Sequence, residues 1–402
     1  RKESSAASDV YKRQFLLWYY LSCMKISALF AAAFLLVSCA SQPVVLSDFT
    51  AQKAKAVVPS GAIPSSQKME FVQSLGAGIN IGNTLDVITD RDGPGTDETG
   101  WGNPRISREY IHALASYGYK TVRLPVTWTE HTGPCPDYII EEKWLSRVQE
   151  VVNWCLEENL NVIVNMHHDG GTSKTSWILS AATDFDYVNT RLAVTWKQVA
   201  LRFKDYPQSL VFEAMNEVGF DSNWEKRYEI LNGLNQTFVD TVRQTGGANS
   251  ERYLMASGYW TDIERSCDSQ FKIPKDRADK IILSVHYYTP SAFCISMDSS
   301  SNWYSYTWGT QKDYSELKGK FDLLYDNFIS KGIPVIVGEY GCVRGKDEQS
   351  RLAWLSSVAI VCKNYGCTPV LWDTGHEISR YNPFAMTEVL SIANTLSGIS
   401  AE

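Results

Sequence analysis

The chain has 402 residues, 44% of them hydrophobic, and a formal net charge of −7. That length and apolar share are enough for one large folded domain or two ordinary ones. The mildly acidic balance, with no basic run, argues against a nucleic-acid partner. With 13 Trp and 21 Tyr the chain is rich in rings that pack cores and can also serve as flat ligand platforms.

Residues 1–23 begin without methionine and carry no organised pattern; they are expected to be non-native read-in sequence ahead of a start at Met24. There Lys25 precedes an apolar run, 26–37, that is too short for a comfortable membrane span and fits a signal-peptide core. Leu36-Val37-Ser38-Cys39 resembles a bacterial lipobox. Residues 24–38 are therefore expected to be a lipoprotein-type signal peptide, with lipid on Cys39 after cleavage. Each buried CH2 adds about 0.8 kcal/mol, so two or more acyl chains would hold the protein on a membrane. The expected location is the bacterial cell envelope, on the outer membrane or cell surface. Residues 39–64, rich in Ser, Gln, Ala, Lys and Pro, read as a solvated tether. Seven cysteines follow Cys39, an odd number, and none has CxxC spacing. Zinc is not expected from them, and Cys267 with Cys294 is the expected bridge.

From residue 65 to 402 short apolar segments alternate with longer amphipathic ones. Strands are predicted at 77–81, 120–124, 161–165, 209–213, 252–256, 280–285, 334–337 and 368–371. Helical spacing of apolar residues is clear over 141–158, 187–203, 224–242, 315–329 and 348–365, and Gly118, Gly246 and Gly332 suit helix ends. Strands alternating with helices imply a parallel sheet, and eight such units predict a single (β/α)8 barrel. An open doubly wound sheet fits less well, because no glycine-rich dinucleotide turn follows the first strand.

A barrel of this kind carries its site at the carboxyl ends of its strands. In chain order those ends hold Asn80, Arg123 with Trp128, His167-His168-Asp169, Asn216-Glu217, Tyr259-Trp260, His286-Tyr287-Tyr288, Glu339-Tyr340 and Trp372-Asp373. Such polar and aromatic groups at every strand end mark a cleft. Glu217 and Glu339, on the fourth and seventh strands, could flank one bond across a narrow barrel top. Two neighbouring carboxylates divide into a proton donor and an ionised partner, the pair that glycosidic cleavage needs. Arg123 would keep one ionised, and the Asn216 amide suits a sugar hydroxyl. A metal is not expected, since His167, His168 and Asp169 in succession cannot all face one ion from a strand end. His112 and His131 read as solvated; Trp144, Trp154, Trp196 and Trp354 read as core.

The ordered set 78–86 (Gly-Ile-Asn-Ile-Gly-Asn-Thr-Leu-Asp), Arg123-Leu124-Pro125, His167-His168, 212–217 (Phe-Glu-Ala-Met-Asn-Glu), His286-Tyr287-Tyr288, 338–341 (Gly-Glu-Tyr-Gly) and Trp372 resembles glycoside hydrolase family 5. The stretch 98–104, Glu-Thr-Gly-Trp-Gly-Asn-Pro, is similar to its fourth subfamily, of endoglucanases and xyloglucanases. One departure is Val218, where the family tract usually has proline. The resemblance implies a retaining endo-β-1,4-glucanase without a cofactor, acting on cellulose, mixed-linkage β-glucan or xyloglucan. A β-mannanase or a non-catalytic glycan-binding protein is the alternative. It makes Glu217 the acid/base and Glu339 the nucleophile. Asn80, Arg123, His167, His168, Asn216, His286, Tyr288 and Trp372 line the substrate site, and Trp101 and Trp128 are further platforms. A monomer is expected.

Overall fold

The computed structural model describes residues 48–88, 97–171, 175–220 and 222–374. The expected read-in segment, signal peptide and Cys39 lie outside the described residues. Eight parallel strands close in chain order into one barrel. They are β1 (Gly78–Asn80), β2 (Thr121–Leu124), β3 (Asn161–Asn165), β4 (Leu210–Glu213), β5 (Leu254–Ser257), β6 (Ile281–Tyr287), β7 (Val335–Tyr340) and β8 (Thr368–Leu371). All eight predicted strands are present. The helices on the barrel's outside are α3 (Arg108–Ser116), α4 (Glu142–Glu157), α5 (Phe185–Arg202), α6 (Arg227–Gln244), α9 (Gln311–Asn327) and α10 (Glu348–Asn364). Between β5 and β6 there is only the one-turn α7 (Ile263–Ser266) before an irregular crossing, so the eightfold repeat is uneven.

Strand alternation sorts the side chains. Val122, Leu124, Val162, Val164, Leu210 and Phe212 join the apolar layer shared with the helices. Ile163, Val211, Met255, Ile282, Ile336 and Val370 form a separate inner cluster. Two residues further along the same faces come Asn165, Glu213, Ser257 and Ser284, all fully buried. The barrel interior therefore changes from apolar to polar as it rises toward the strands' carboxyl ends. The other end is plugged by α2 (Gln67–Ser74), whose Val72 joins the inner cluster with Leu75 just after it. Thr368 Oγ1 donates to Val72 O and Thr121 Oγ1 to Leu75 O, fixing the plug to β8 and β2.

The expected tether over 39–64 does not hold from residue 48 on. There α1 (Asp48–Lys55) is helical, and Ala54 and Val57 are buried in the main core. Asn364 Nδ2 donates to Val57 O at 2.8 Å, and Lys53 Nζ to Gly309 O at 3.1 Å. The folded body thus begins before residue 65. The expected Cys267–Cys294 bridge is also absent. Cys294 is buried in α8 (Ser291–Cys294) in hydrogen-bonding contact with Cys342, whereas the Cys267 sulfur faces Leu323 O at 3.6 Å; all seven described cysteines are free.

One irregularity shapes the site. Val337 pairs with Val285 and Glu339 with His286, so β7 carries one residue more than β6 across this step. The same extra residue appears against β8, where Val337 pairs with Pro369 and Tyr340 with Leu371. This bulge at Gly338 resets the alternation, leaving Glu339 at the level of His286 while Tyr340 packs outward against Trp354.

Candidate active site

Arg123 is the centre of the polar layer. It is fully buried, and burial opposes its charge, but two carboxylates hold the guanidinium charged. Its Nε donates to Glu213 Oε2 at 2.7 Å and its Nη1 to Glu339 Oε1 at 2.8 Å. Nη1 also reaches Asn80 Oδ1 at 2.8 Å, and Nη2 reaches Asn216 Oδ1 at 2.9 Å. Asn80 Nδ2 donates in turn to Gly338 O at 2.9 Å. Asn80 and Arg123 are thus spent on protein partners, and the expectation that they touch substrate is corrected: they lie beneath the cleft and position what lines it. Glu213 belongs to this layer, with Ser284 Oγ donating to its Oε1 at 2.5 Å. The sequence reading assigned it no role, because a Glu inside an apolar strand becomes meaningful only once Arg123 is seen beside it.

Above this layer sit the two candidate carboxyls. One carboxylate oxygen of Glu217 lies within 4.8 Å of one of Glu339, with His286 between them. His286 Nδ1 is 2.8 Å from Glu217 Oε1 and 3.5 Å from Glu339 Oε2. Tyr288 Oη donates to Glu339 Oε2 at 3.0 Å. Glu339 is nearly buried, whereas the Glu217 side chain is one-third exposed, 33%. Burial pushes the Glu339 carboxyl above its ordinary range; His286 and Arg123 pull it back, and the Glu217 charge adds to the push. Asn216, with Oδ1 held by Arg123, presents its amide nitrogen away from that contact.

His167 is buried and held neutral, its proton affinity lowered by burial and by its neighbours His168, Arg123 and His286. Its ring stacks with the half-buried Trp372 at 5.8 Å, and Trp101 meets His168 edge-on at 5.6 Å. These residues therefore gather at one rim, as expected. Trp128 does not. It is fully buried, and its Nε1 donates to Asn165 O at 2.9 Å, so it supports β3 from outside and offers sugar no face. His131 is likewise buried, stacked on Trp144 at 3.8 Å, and the solvated reading is corrected.

Trp260, named at a strand end but given no role, is the other omission. It takes φ +55 and ψ 19, and Thr261 follows at φ +48, left-handed values that bulky and branched residues rarely adopt. Its N–H donates to Val218 O at 2.8 Å, next in chain to Glu217. The indole covers Gly219 so closely that a Cβ there would stand 2.0 Å from Nε1. Strain of this kind collects at functional rims.

The cellulase family profile (glycosyl hydrolase family 5) matches residues 88–377. The chain belongs to glycoside hydrolase family 5. Endoglucanase A of Ruminococcus albus is 37% identical over 337 residues, 81% of this chain and 89% of that protein. Among solved structures, a broad-specificity GH5-4 endoglucanase from an uncultured bovine rumen ciliate superposes with a TM-score of 0.74 at 33% identity, covering 82% of this chain and 98% of that one. A family 5 xyloglucanase from Paenibacillus pabuli gives 0.73 at 33% identity, over 81% and 99%. As a family 5 hydrolase the chain works with retention, and the short carboxyl spacing agrees: retaining pairs stand roughly 5–5.5 Å apart, inverting pairs about 6.5–9.5 Å.

Proposed function

We propose that the chain is a retaining endo-β-1,4-glucanase in which Glu339 is the nucleophile and Glu217 the acid/base. The observation that carries the assignment is the unequal setting of two facing carboxyls. Glu339 is buried and takes hydrogen bonds from Arg123 and Tyr288, which hold an attacking oxygen in place. Glu217 is partly open, at the edge where a leaving group departs. Glu339 attacks the anomeric carbon as the Glu217 proton passes to the glycosidic oxygen. The aglycone leaves, and a covalent glycosyl ester remains on Glu339. Glu217, now ionised, takes a proton from water; the water oxygen attacks the anomeric carbon and frees Glu339. The Asn216 amide donates to the sugar 2-hydroxyl, and Trp372 stacks under the ring beside the cut.

Substrates are internal β-1,4 bonds of cellulose, mixed-linkage β-glucan or xyloglucan. Support comes from the endoglucanase and xyloglucanase relatives, at 37% and 33% identity. Product release from a panel of polysaccharides tests this, and dominant hydrolysis of mannan would overturn it. For the roles, Glu339→Ala with azide should yield a glycosyl azide of inverted configuration; undiminished activity would reject Glu339 as nucleophile. The lipobox-like 36–39 supports lipidation of Cys39 and retention on a bacterial cell envelope. Palmitate labelling tests it: Cys39→Ala should lose label and release the enzyme to the medium.

A further inference from the structure

The barrel brings together two thiols that lie far apart in the chain and that the chemistry of the cleft does not use. Cys342 follows β7, shortly after Glu339, and Cys294 ends α8 in the connection after β6. Both are buried, 4% and 1% exposed. Their side chains are in hydrogen-bonding contact. The main chains meet as well. Val343 N–H donates to Cys294 O at 3.0 Å, and the Cys342 thiol donates to Phe293 O at 3.7 Å. Segments joined by such a backbone bond have the spacing of a disulfide, whose Cα atoms stand roughly 4.4–6.8 Å apart.

Both segments are fixed in place, so a bond between the sulfurs needs little movement. Arg351 Nε donates to Cys342 O at 3.1 Å. Lys346 Nζ reaches back to Ala292 O at 3.1 Å and to Ser305 O at 2.8 Å, and Ser305 N–H donates to Ala292 O at 3.0 Å. Burial pushes the Cys294 thiol well up, and the Lys346 ammonium partly opposes that. Cys342, the more open of the two, is the thiol that an oxidant meets first. Cys267, the partner expected for Cys294 from sequence, faces Leu323 O instead.

We propose that Cys294 and Cys342 are a disulfide-forming pair, oxidised by exchange with a small-molecule or protein disulfide, and that the bridge staples the connection after β6 to the end of β7. The Cys342 thiolate attacks one sulfur of the oxidant's disulfide and expels the other as a thiolate. The Cys294 thiolate then attacks the Cys342 sulfur, closes the bridge and expels the second. The two thiol protons pass to the two expelled sulfurs, so the pair loses two electrons and the oxidant leaves as two thiols. The bridge closes a long loop that contains α9 and β7, the case in which a crosslink restrains the unfolded chain most. Because the thiols already touch, the cleft keeps its shape and the gain falls on stability, not on rate. The pairing stands whether or not the chain hydrolyses glucan.

The test equilibrates the reduced, folded protein with oxidised glutathione and a catalytic amount of a disulfide oxidoreductase, then alkylates the remaining thiols and maps the peptides. A disulfide joining the peptides of Cys294 and Cys342 is expected, in the parent and equally in Cys267→Ser. Both thiols still open to alkylation after unfolding, either one left joined to glutathione, or Cys294 joined to another cysteine, overturns the pair. The oxidised parent should melt several degrees above the reduced parent, and Cys342→Ala should lose that difference. Equal melting of the two forms of the parent overturns the staple without recourse to a variant. Hydrolysis of soluble β-glucan should proceed with the same kcat and KM in both forms; a change in either overturns the undisturbed cleft. Bridge formation in a protein that hydrolyses no glucan would reject the glucanase reading and leave the pair standing.

Discussion

At the scale of single residues, what matters is how charge is held on Glu339. Burial moves this carboxyl upward from its ordinary 4.5. In its proposed role as nucleophile Glu339 must be ionised, so the acid limb of kcat/KM should lie above that value. Tyr288→Phe removes a donor to the charged form and should move the limb higher still; an unmoved limb would deny Tyr288 that role. Stability has the opposite slope. A carboxyl whose folded affinity is raised binds more protons folded than unfolded, so its contribution falls as pH rises from the ordinary Glu range through the raised value. Glu339→Gln should remove that part of the fall, as urea unfolding over a pH series would read. Glu217→Gln should cost about 10²–10⁴ in kcat on substrates with poor leaving groups. The placement of both glutamates together at the barrel rim was legible in the sequence, because a carboxyl at an apolar strand end needs a reason. Trp128 misled because sequence shows that an aromatic follows a strand, not which side of the barrel wall it occupies. Asn80 and Arg123 misled differently: their position was right, but the depth of the polar layer that absorbs them was not readable.

At the scale of elements, β7 and the turn after β5 carry the local distortions. In β7 the extra residue at Gly338 lifts Glu339 to the level of His286. A Cβ on Gly338 would stand 3.3 Å from Ser284 Oγ and 3.5 Å from His286 Nε2. Gly338→Ala should therefore press on Ser284 Oγ, the donor to Glu213 in the layer beneath Glu339, and lower kcat by up to ~10² with KM little changed, since small misplacements near the reacting atoms are expensive. A change confined to KM would show that the glycine serves sugar binding instead. Strand periodicity located Glu339 near the right place, but alternation alone cannot reveal a bulge. Nor could it reveal Trp260, whose unusual backbone depends on Gly219 leaving room for the indole.

For the whole molecule, the eight strands and their order were readable from alternation, whereas closure at the lower end was not. Residues 48–64 read as tether-like, yet Ala54 and Val57 enter the main core, and the helix that follows supplies a plug whose Val72, with Leu75, completes the inner cluster. Leu75→Ala should cost about 2–5 kcal/mol in urea unfolding, the range for a large-to-small change in a packed interior. A chain begun at residue 65 should melt below one begun at 48, because Ala54 and Val57 then leave core positions unfilled. Equal melting temperatures would restore the tether reading for that segment.

The guanidinium of Arg123 bonds groups from β1, from β4 and the turn beyond it, and from β7. β1 and β7 lie on either side of β8, the final strand in the chain. The hold of Arg123 on the Glu339 carboxylate consequently draws on strands from both sides of β8, so its full set of bonds needs a closed ring. During refolding, tryptophan fluorescence should recover as partial sheets collapse, whereas hydrolysis should return only with the final strand. The enzyme's own turnover is in that sense a timer for the completion of its barrel.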